Sequence, residues 1–305
     1  YSQVNYNMIG LMDMKKTITR RSFFKGIWKL IFTTLIASTV GYIYSRFIEP
    51  KQIKMNYYSI QHNLIPKSFS NMKIVQFSDT HVGHFFTEED LVEVVNKINK
   101  ENPDIVFFTG DLMDDPLHYE RAEELIAILQ KINAPYGKFS IYGNHDHGGY
   151  GTEIYEEIMN KADFKLLKNE NVYIETINAE KIYIAGVDDL MLGRPSFTEA
   201  LQHIPNENFT ILLVHEPDIA DEISRQFRVQ LQLSGHTHGG QVQIPFVGPI
   251  ITPPLGSNYV EGFFYLNDLT LYVNRGLGTT RQPYRFFAPP EITVFSLQHV
   301  DRDSE

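Results

Sequence analysis

Short apolar runs alternate along the chain with amphipathic stretches, and the alternation predicts strands and helices in turn. Met72 to Ser78, Asp104 to Thr109 and Lys138 to Tyr142 are strand-like. Between the first two, Thr87 with Asp90 three residues on marks a capping-box start, and Leu91, Val94, Val95 and Ile98 line one helical face. Tyr119 to Lys131 repeats the helical pattern, with Leu125, Ile126 and Leu129 inward. This order predicts a βαβαβ beginning and a largely parallel sheet. After Gly148-Gly149-Tyr150-Gly151, a helix near Glu153 to Asn160 leads into strands at Val172 to Thr176 and Lys181 to Val187. Strand, helix and strand recur from Phe209 to Ser234. The tail holds only strands and loops, at Gln241 to Ile244, Leu271 to Asn274 and Ile292 to Leu297. These counts predict an α/β fold with two sheets face to face and helices outside, a four-layer α/β/β/α sandwich. Residues 45 to 71 read as a linker with an edge strand around Lys54 to Ile60. The Pro245 to Pro254 loop is either the rim of a site cleft or a plain surface loop.

Five of the strand-like runs end in polar residues of the same few types. They deliver Asp79-Thr80-His81, Gly110-Asp111-Leu112-Met113-Asp114, Gly143-Asn144-His145-Asp146, His215, and Gly235-His236-Thr237-His238-Gly239-Gly240. One Gly-Asn pair is an ordinary turn signal. Core packing gives no reason for Asp, Asn or His at five strand ends, and open α/β folds place their sites there.

The residue types suit metal. Asp79 and His81 lie two apart, as do His236 and His238, so extended backbone would point each pair to one side. Asp111 has two carboxylate oxygens and can bridge two ions, and Asn144 offers a neutral carbonyl. The chain has no cysteine, which excludes disulfides, thiolate zinc sites and cysteine nucleophiles. Imidazole with carboxylate suits manganese, iron or zinc rather than magnesium or calcium alone. Asp188 and Asp189 end another run and read as turn residues, with support of a ligand from behind as the alternative, and His147 either lines the pocket or follows the turn. His62, His84, His118, His203 and His299 read as surface residues.

At 305 residues, 43% hydrophobic and 21% charged, the chain can bury the core of one large domain. Its net charge of −10 is uneven: residues 1 to 54 carry nine basic and two acidic side chains, leaving −17 on the rest. That body is a poor nucleic-acid binder, and no nucleic-acid partner is expected. Thr19-Arg20-Arg21-Ser22-Phe23-Phe24-Lys25 opens a mostly apolar run from Ile27 to Tyr44, an order that resembles a twin-arginine export signal. Such signals engage a translocon that carries folded proteins. Eighteen helical residues span about 27 Å, close to a bilayer's ~30 Å core, so a cleaved signal and a retained membrane anchor both stand. Met14 reads as the natural start. The expected divisions are residues 1–44 as extension and signal or anchor, 45–71 as linker and edge strand, and 72–300 as the catalytic domain.

The ordered motifs DTH, GDLMD, GNHD, a single His and GHTH, across residues 72 to 240, resemble those of the calcineurin-like metallophosphoesterases. Asn274-Arg275-Gly276-Leu277-Gly278 and Pro289-Pro290-Glu291-Ile292 are similar to that family's bacterial branch, and with Arg20-Arg21 to its exported, cell-wall-associated members. No motif position departs from the pattern. The resemblance implies a sandwich of that family's type and a binuclear phosphohydrolase acting outside the cytoplasm, at the membrane or wall. Asp79, His81, Asp111 and His238 would hold one metal, and Asp111, Asn144, His215 and His236 the other, with manganese, zinc or iron as the ions. A hydroxide between them would attack phosphorus in line. His145 would protonate the leaving oxygen or brace the transition state, oriented by Asp146. Asp114 would support a ligand imidazole from behind. Arg281 and Arg285 either contact phosphate or headgroup or are solvated loop residues. Two divalent ions beside two carboxylates leave the site positive, and charges at ~4 Å outweigh an acidic surface beyond ~10 Å. Because ligand imidazoles must be neutral, activity is expected to fall below about pH 6.5. The substrate stays open among a phosphomonoester, a wall-polymer phosphodiester and a lipid-linked pyrophosphate of the UDP-2,3-diacylglucosamine type, which a retained anchor favours. The non-enzymatic rival is a wall-associated binding protein that keeps the fold.

Overall fold

The computed structural model describes residues 19–148 and 152–301, so the expected start at Met14 and the Gly149-Tyr150-Gly151 stretch lie outside the described residues. The chain forms two compact units, residues 1–43 and 44–305. The described part of the first is the 24-residue helix α1 (Arg20–Ile43). At 1.5 Å per residue it spans about 36 Å, and it is long and apolar enough to cross a membrane.

The second unit holds two six-stranded sheets. In chain order its elements begin with β1 (Lys54–His62), β2 (Lys73–Phe77), α2 (Glu88–Lys100), β3 (Ile105–Phe108), α3 (Ala122–Leu129) and β4 (Lys138–Ser140). They continue with α4 (Asn144–His147), α5 (Thr152–Lys161), β5 (Phe164–Leu166), β6 (Glu170–Glu175), β7 (Lys181–Gly186), α6 (Phe197–Ala200) and β8 (Phe209–Leu213). The last are α7 (Ala220–Gln226), β9 (Leu231–Ser234), β10 (Gln243–Ile244), β11 (Gly248–Pro249), β12 (Gly262–Leu266), β13 (Leu269–Val273) and β14 (Glu291–His299). The first sheet has the order β1-β14-β2-β3-β4-β5, parallel except where β14 meets β2. The second has the order β12-β13-β9-β8-β7-β6, parallel inside and antiparallel at both edges.

Period-two packing explains why the inner strands read as unbroken apolar runs. In β3, Val106 and Phe108 pack with α2, α3 and α5, while Ile105 and Phe107 face the other sheet. In β8, Ile211 and Leu213 fill the space between the sheets, while Leu212 packs with Ala220 and Ile223 of α7. Both faces are covered, as parallel strands require, and the result is the four-layer α/β/β/α sandwich. The α2 cap forms as read: Thr87 accepts from the Asp90 amide and the Asp90 carboxylate from the Thr87 amide.

Several elements differ from expectation. The third helix starts at Ala122 rather than Tyr119, because Pro116–His118 makes a separate turn in which the Asp115 carboxylate accepts the Leu117 amide. Strand β5 has three residues, too few for a readable period, and β12 is a half-buried edge strand without clear alternation. Within the proline-rich loop, β10 and β11 form a small hairpin.

Candidate metal centre

The polar motifs gather just past the carboxyl ends of β2, β3, β4, β8 and β9. Asp79, His81, Asp111, His215, His236 and His238 are all buried there, with Asn144 and His145 half-buried. A separate cleft of about 630 Å³, lined in part by Arg225, Arg228 and Gln230, lies before the starts of β8 and β9 and includes none of these residues.

Extended backbone is not what aims the paired ligands. Asp79, His81, Asp111, His236 and His238 have φ of 51°, 45°, 60°, 73° and 52°. Each is in the left-handed region, which costs a non-glycine residue on the order of 1–3 kcal/mol. Their turns are held by backbone bonds from Asp79 N to Gly110 O at 2.9 Å, Gly235 N to His215 O at 3.0 Å and Gly278 N to Asp79 O at 2.7 Å. Close approach also demands glycine. A Cβ on Gly143 would sit 2.3 Å from Asp111 Oδ1, and one on Gly235 would sit 2.3 Å from Asp79 Oδ2.

Three overlapping groups result, Asp79/His81/His238, His81/Asp111/His145 and Asp79/Asp111/His215, each with ligand atoms within 4.8 Å of one another. Asp111 Oδ2 lies 3.5 Å from His81 Nε2 and 3.3 Å from His215 Nε2, so one carboxylate reaches both sides. His238 Nε2 is 3.4 Å from Asp79 Oδ1 and 3.0 Å from His81 Nε2.

Hydrogen bonds behind the rings choose which nitrogen faces the cluster. His215 Nδ1 donates to Thr109 O at 2.6 Å, leaving Nε2 forward. His236 Nε2 donates to Pro254 O at 2.8 Å, leaving Nδ1 as the unprotonated nitrogen of the neutral ring. Its ring is 5.0 Å from that of His215. Burial pushes the His236 pKa down to about 4 and that of His238 well below the usual range, so both rings are neutral and able to coordinate. For His215 burial works the same way, but the Asp111 carboxylate outweighs it and raises the pKa well above the ordinary value.

Among the remaining expected residues, Asp114 stands 3.4 Å from His81 Nδ1 and 3.7 Å from His145 Nδ1, and its carbonyl accepts from His145 Nδ1 at 2.8 Å. Asp146 is a correction. Its carboxylate does not orient His145 but accepts the amides of Asp111 at 2.8 Å, Leu112 at 3.0 Å and Gly143 at 2.9 Å, pinning two motif loops together. Burial, with Asp111 beside it, pushes that carboxyl up to about 8. Arg285 is a second correction. It is fully buried, and it donates to the carbonyls of Gly278, Ala288 and Arg275 at 2.6, 2.7 and 2.9 Å, with Nη2 3.4 Å from His238 Nδ1. It braces His238 from behind and is unavailable to phosphate. Arg281 lies exposed in a left-handed turn.

His84 is not a plain surface residue, since its Nδ1 is 3.8 Å from Asp114 Oδ2, making it the third imidazole around that carboxylate. The signal was its place three residues past His81. His147 joins Asp188 at 2.7 Å and Thr152 at 3.0 Å. The Asp188 carboxylate also accepts the Asp189 and Arg194 amides, which bears out the turn reading.

The donor set fits hard-to-borderline divalent cations. It offers carboxylate oxygen and imidazole nitrogen without thiolate, and His215 Nε2 and Asn144 Oδ1 are buried without a hydrogen-bond partner. A cation supplies what both atoms lack.

Comparison with known proteins agrees with this geometry. Residues 72–240 match the family model of the calcineurin-like phosphoesterases. The chain is 48% identical to the uncharacterized metallophosphoesterase YkuE of Bacillus subtilis, over 94% of this chain and 100% of that one. It is 32% identical to an uncharacterized metallophosphoesterase of Aquifex aeolicus over 82% and 94% of the two chains, and 28% identical to the phosphodiesterase YaeI of Escherichia coli over 92% and 99%.

Proposed function

The chain belongs to the calcineurin-like phosphoesterases, hydrolases of phosphoester bonds, and on that footing we propose that it cleaves a phosphodiester at two divalent cations held by the buried cluster. The observation that carries this is the convergence of Asp79, His81, Asp111, His215 and His238 from four separate strand ends into overlapping groups of ligand atoms. Asp79, His81, Asp111 and His238 hold one ion, and Asp111, Asn144, His215 and His236 the other, with manganese, zinc or iron as the metals. Bound there, such ions supply Lewis acidity and a nucleophile at neutral pH.

The protein's own groups do the rest. Asp111 lies between the two sets, and its Oδ1 accepts the His145 amide at 2.8 Å, fixing where that residue sits. The Asp114 carbonyl accepts a hydrogen bond from His145 Nδ1, which leaves Nε2 to hand a proton to the leaving oxygen. Burial opposes a charge on His145, but the Asp111 carboxylate and the Asp114 carbonyl outweigh it and raise its pKa.

The diester reading is favoured by the name of the Escherichia coli relative, phosphodiesterase. The Arg20-Arg21 pair that opens α1 supports residues 1–44 as a twin-arginine signal or anchor and action outside the cytoplasm, at membrane or wall. A lipid-linked pyrophosphate is the second substrate class, favoured by α1. The test is a substrate panel on the purified full chain after chelation and re-addition of Mn²⁺, Zn²⁺ or Fe²⁺. An aryl phosphodiester should turn over only after metal return; no turnover with any metal would sink the proposal.

A further inference from the structure

Residues 239–260 contain no Lys, Arg, Asp or Glu, although one residue in five is charged over the whole chain (21%). This stretch holds the β10–β11 hairpin and displays Ile244, Phe246, Val247, Ile250 and Ile251 to solvent, with Phe246 and Val247 at 109% and 77% exposure. At the tip, Val247 N donates to Ile244 O, so Phe246 takes the third place of a tight turn with φ of 67°. Glycine or asparagine belongs there on backbone grounds. A bulky aromatic held in strain and in full solvent contact has no folding rationale, and contiguous exposed apolar surface marks an interaction site.

The hairpin lies beside the place where the chain enters the body. Residue 44 directly follows Ile43, the end of α1. Tyr44 packs edge-on against Phe286 at 6.2 Å, and Ser45 O accepts the Arg285 amide at 2.9 Å. On its other side Phe286 pairs with the hairpin root: its amide donates to Gln241 O and its carbonyl accepts from Gln243 N, both at 2.8 Å. Phe287, edge-on to Phe286 and itself exposed, extends the apolar surface. Where a helix emerges from a bilayer, the residues that follow lie at the membrane surface, and so do elements bonded to them.

We propose that the hairpin tip, with Ile250 and Ile251, inserts into the headgroup–acyl boundary of the membrane that α1 crosses. The aromatic and aliphatic side chains suit that boundary, and the absence of charge removes the main cost of entering it. The same loop supplies Pro254 O to His236, so insertion would set the metal cluster facing phosphates carried on lipids. This rests on the reading of α1 as a retained anchor and of the cluster as a phosphoesterase site.

The test uses full-length protein in vesicles of phosphatidylglycerol and phosphatidylethanolamine, part of it bromine-labelled in the acyl chains. Trp28, the single tryptophan, lies in α1 and reports the anchor in the native chain. Phe246→Trp on a Trp28→Phe background reports the hairpin, and Tyr173→Trp on β6 serves as the exposed control. The expected result is blue-shifted, bromine-quenched emission for F246W and unquenched emission for Y173W. Quenching of native Trp28 with none for F246W would overturn the hairpin proposal and leave the anchor standing; a blue shift without quenching would overturn it in favour of a second copy of the chain. Phe246→Asp with Val247→Asp should keep hydrolysis of a soluble aryl phosphodiester within roughly twofold, yet lower that of a vesicle-borne lipid phosphodiester about tenfold through lost effective concentration. Equal losses on both would overturn the proposal. Lack of soluble turnover in the native chain would instead strike at the phosphoesterase reading, since the fluorescence result does not depend on activity.

Discussion

The Nε2 atoms of His81 and His238 face each other at 3.0 Å, although 157 residues separate them in the chain. Two imidazole nitrogens so placed share either a proton or a cation. Beside them burial, and then repulsion from the neighbouring Asp111 carboxylate, raises the Asp79 pKa. A cation relieves both conditions at once, and the metal-free body is therefore under electrostatic load.

Metal return should stabilise the fold measurably. At about a hundred times its dissociation constant, a bound ion adds ~2.7 kcal/mol, or about 5–10 °C in Tm for a chain of this size. Calorimetry of chelated and Mn²⁺- or Zn²⁺-loaded protein checks this, and identical melting curves would contradict it.

His145→Ala should separate chemistry from metal binding. Metal content is expected to remain near that of the native chain, while kcat falls by about 10²–10⁴ as the proton donor is lost. Elemental analysis and turnover of an aryl phosphodiester read the two effects, and native-like rates would remove His145 from the mechanism.

The pH dependence follows from which histidine keeps its proton. With its pKa raised, metal-free His215 holds a proton that an entering metal must displace. Apparent metal affinity should thus weaken as pH falls through that pKa, which lies above the ordinary ~6.5, by about tenfold per pH unit below it. His236, pushed to about 4, adds nothing until far lower pH. The onset therefore sits higher than the unperturbed histidine value suggests, and calorimetric titration that is flat from pH 8 to 5.5 would refute it.

Arg285→Met should act on stability rather than on phosphate recognition. It strands the carbonyls of Gly278, Ala288 and Arg275 in a buried space, a loss of about 3–5 kcal/mol. Lysine cannot rescue it, since one ammonium does not reproduce the planar fork. Denaturant unfolding is the measurement; unchanged stability with lost substrate affinity would restore the phosphate-contact reading.

Gly143→Ala should cost the site its metals. The added Cβ meets Asp111 Oδ1 at 2.3 Å and His215 Cε1 at 2.8 Å, so both ligands must move. Circular dichroism should stay near native while bound metal drops; full metal occupancy would show that the loops can yield.

The layers of the sandwich and the identity of the cluster were open to reading because each depends on local pattern. A strand buried on both faces must be apolar throughout, and a polar side chain just past its end must meet solvent or a site, whatever lies elsewhere in the chain. Asp79, Asp111, His215 and the GHTH pair announce themselves in this way. Edge elements such as β5 and β12 do not, since a strand covered on one side or only three residues long leaves no period to detect.

The roles of neighbours were decided only by the tertiary structure. Asp146 follows His145 in sequence, yet its carboxylate turns away to three backbone amides, and Asp114, 31 residues earlier, takes the place beside the imidazole. Arg285 is a loop arginine by sequence and a buried brace in space. The reason is directional: left-handed residues at 79, 81, 111, 236 and 238 bend the chain where no residue-type pattern records it. Residue types therefore settled which chemistry the chain carries, while backbone direction and packing across distant loops settled which side chain serves which atom.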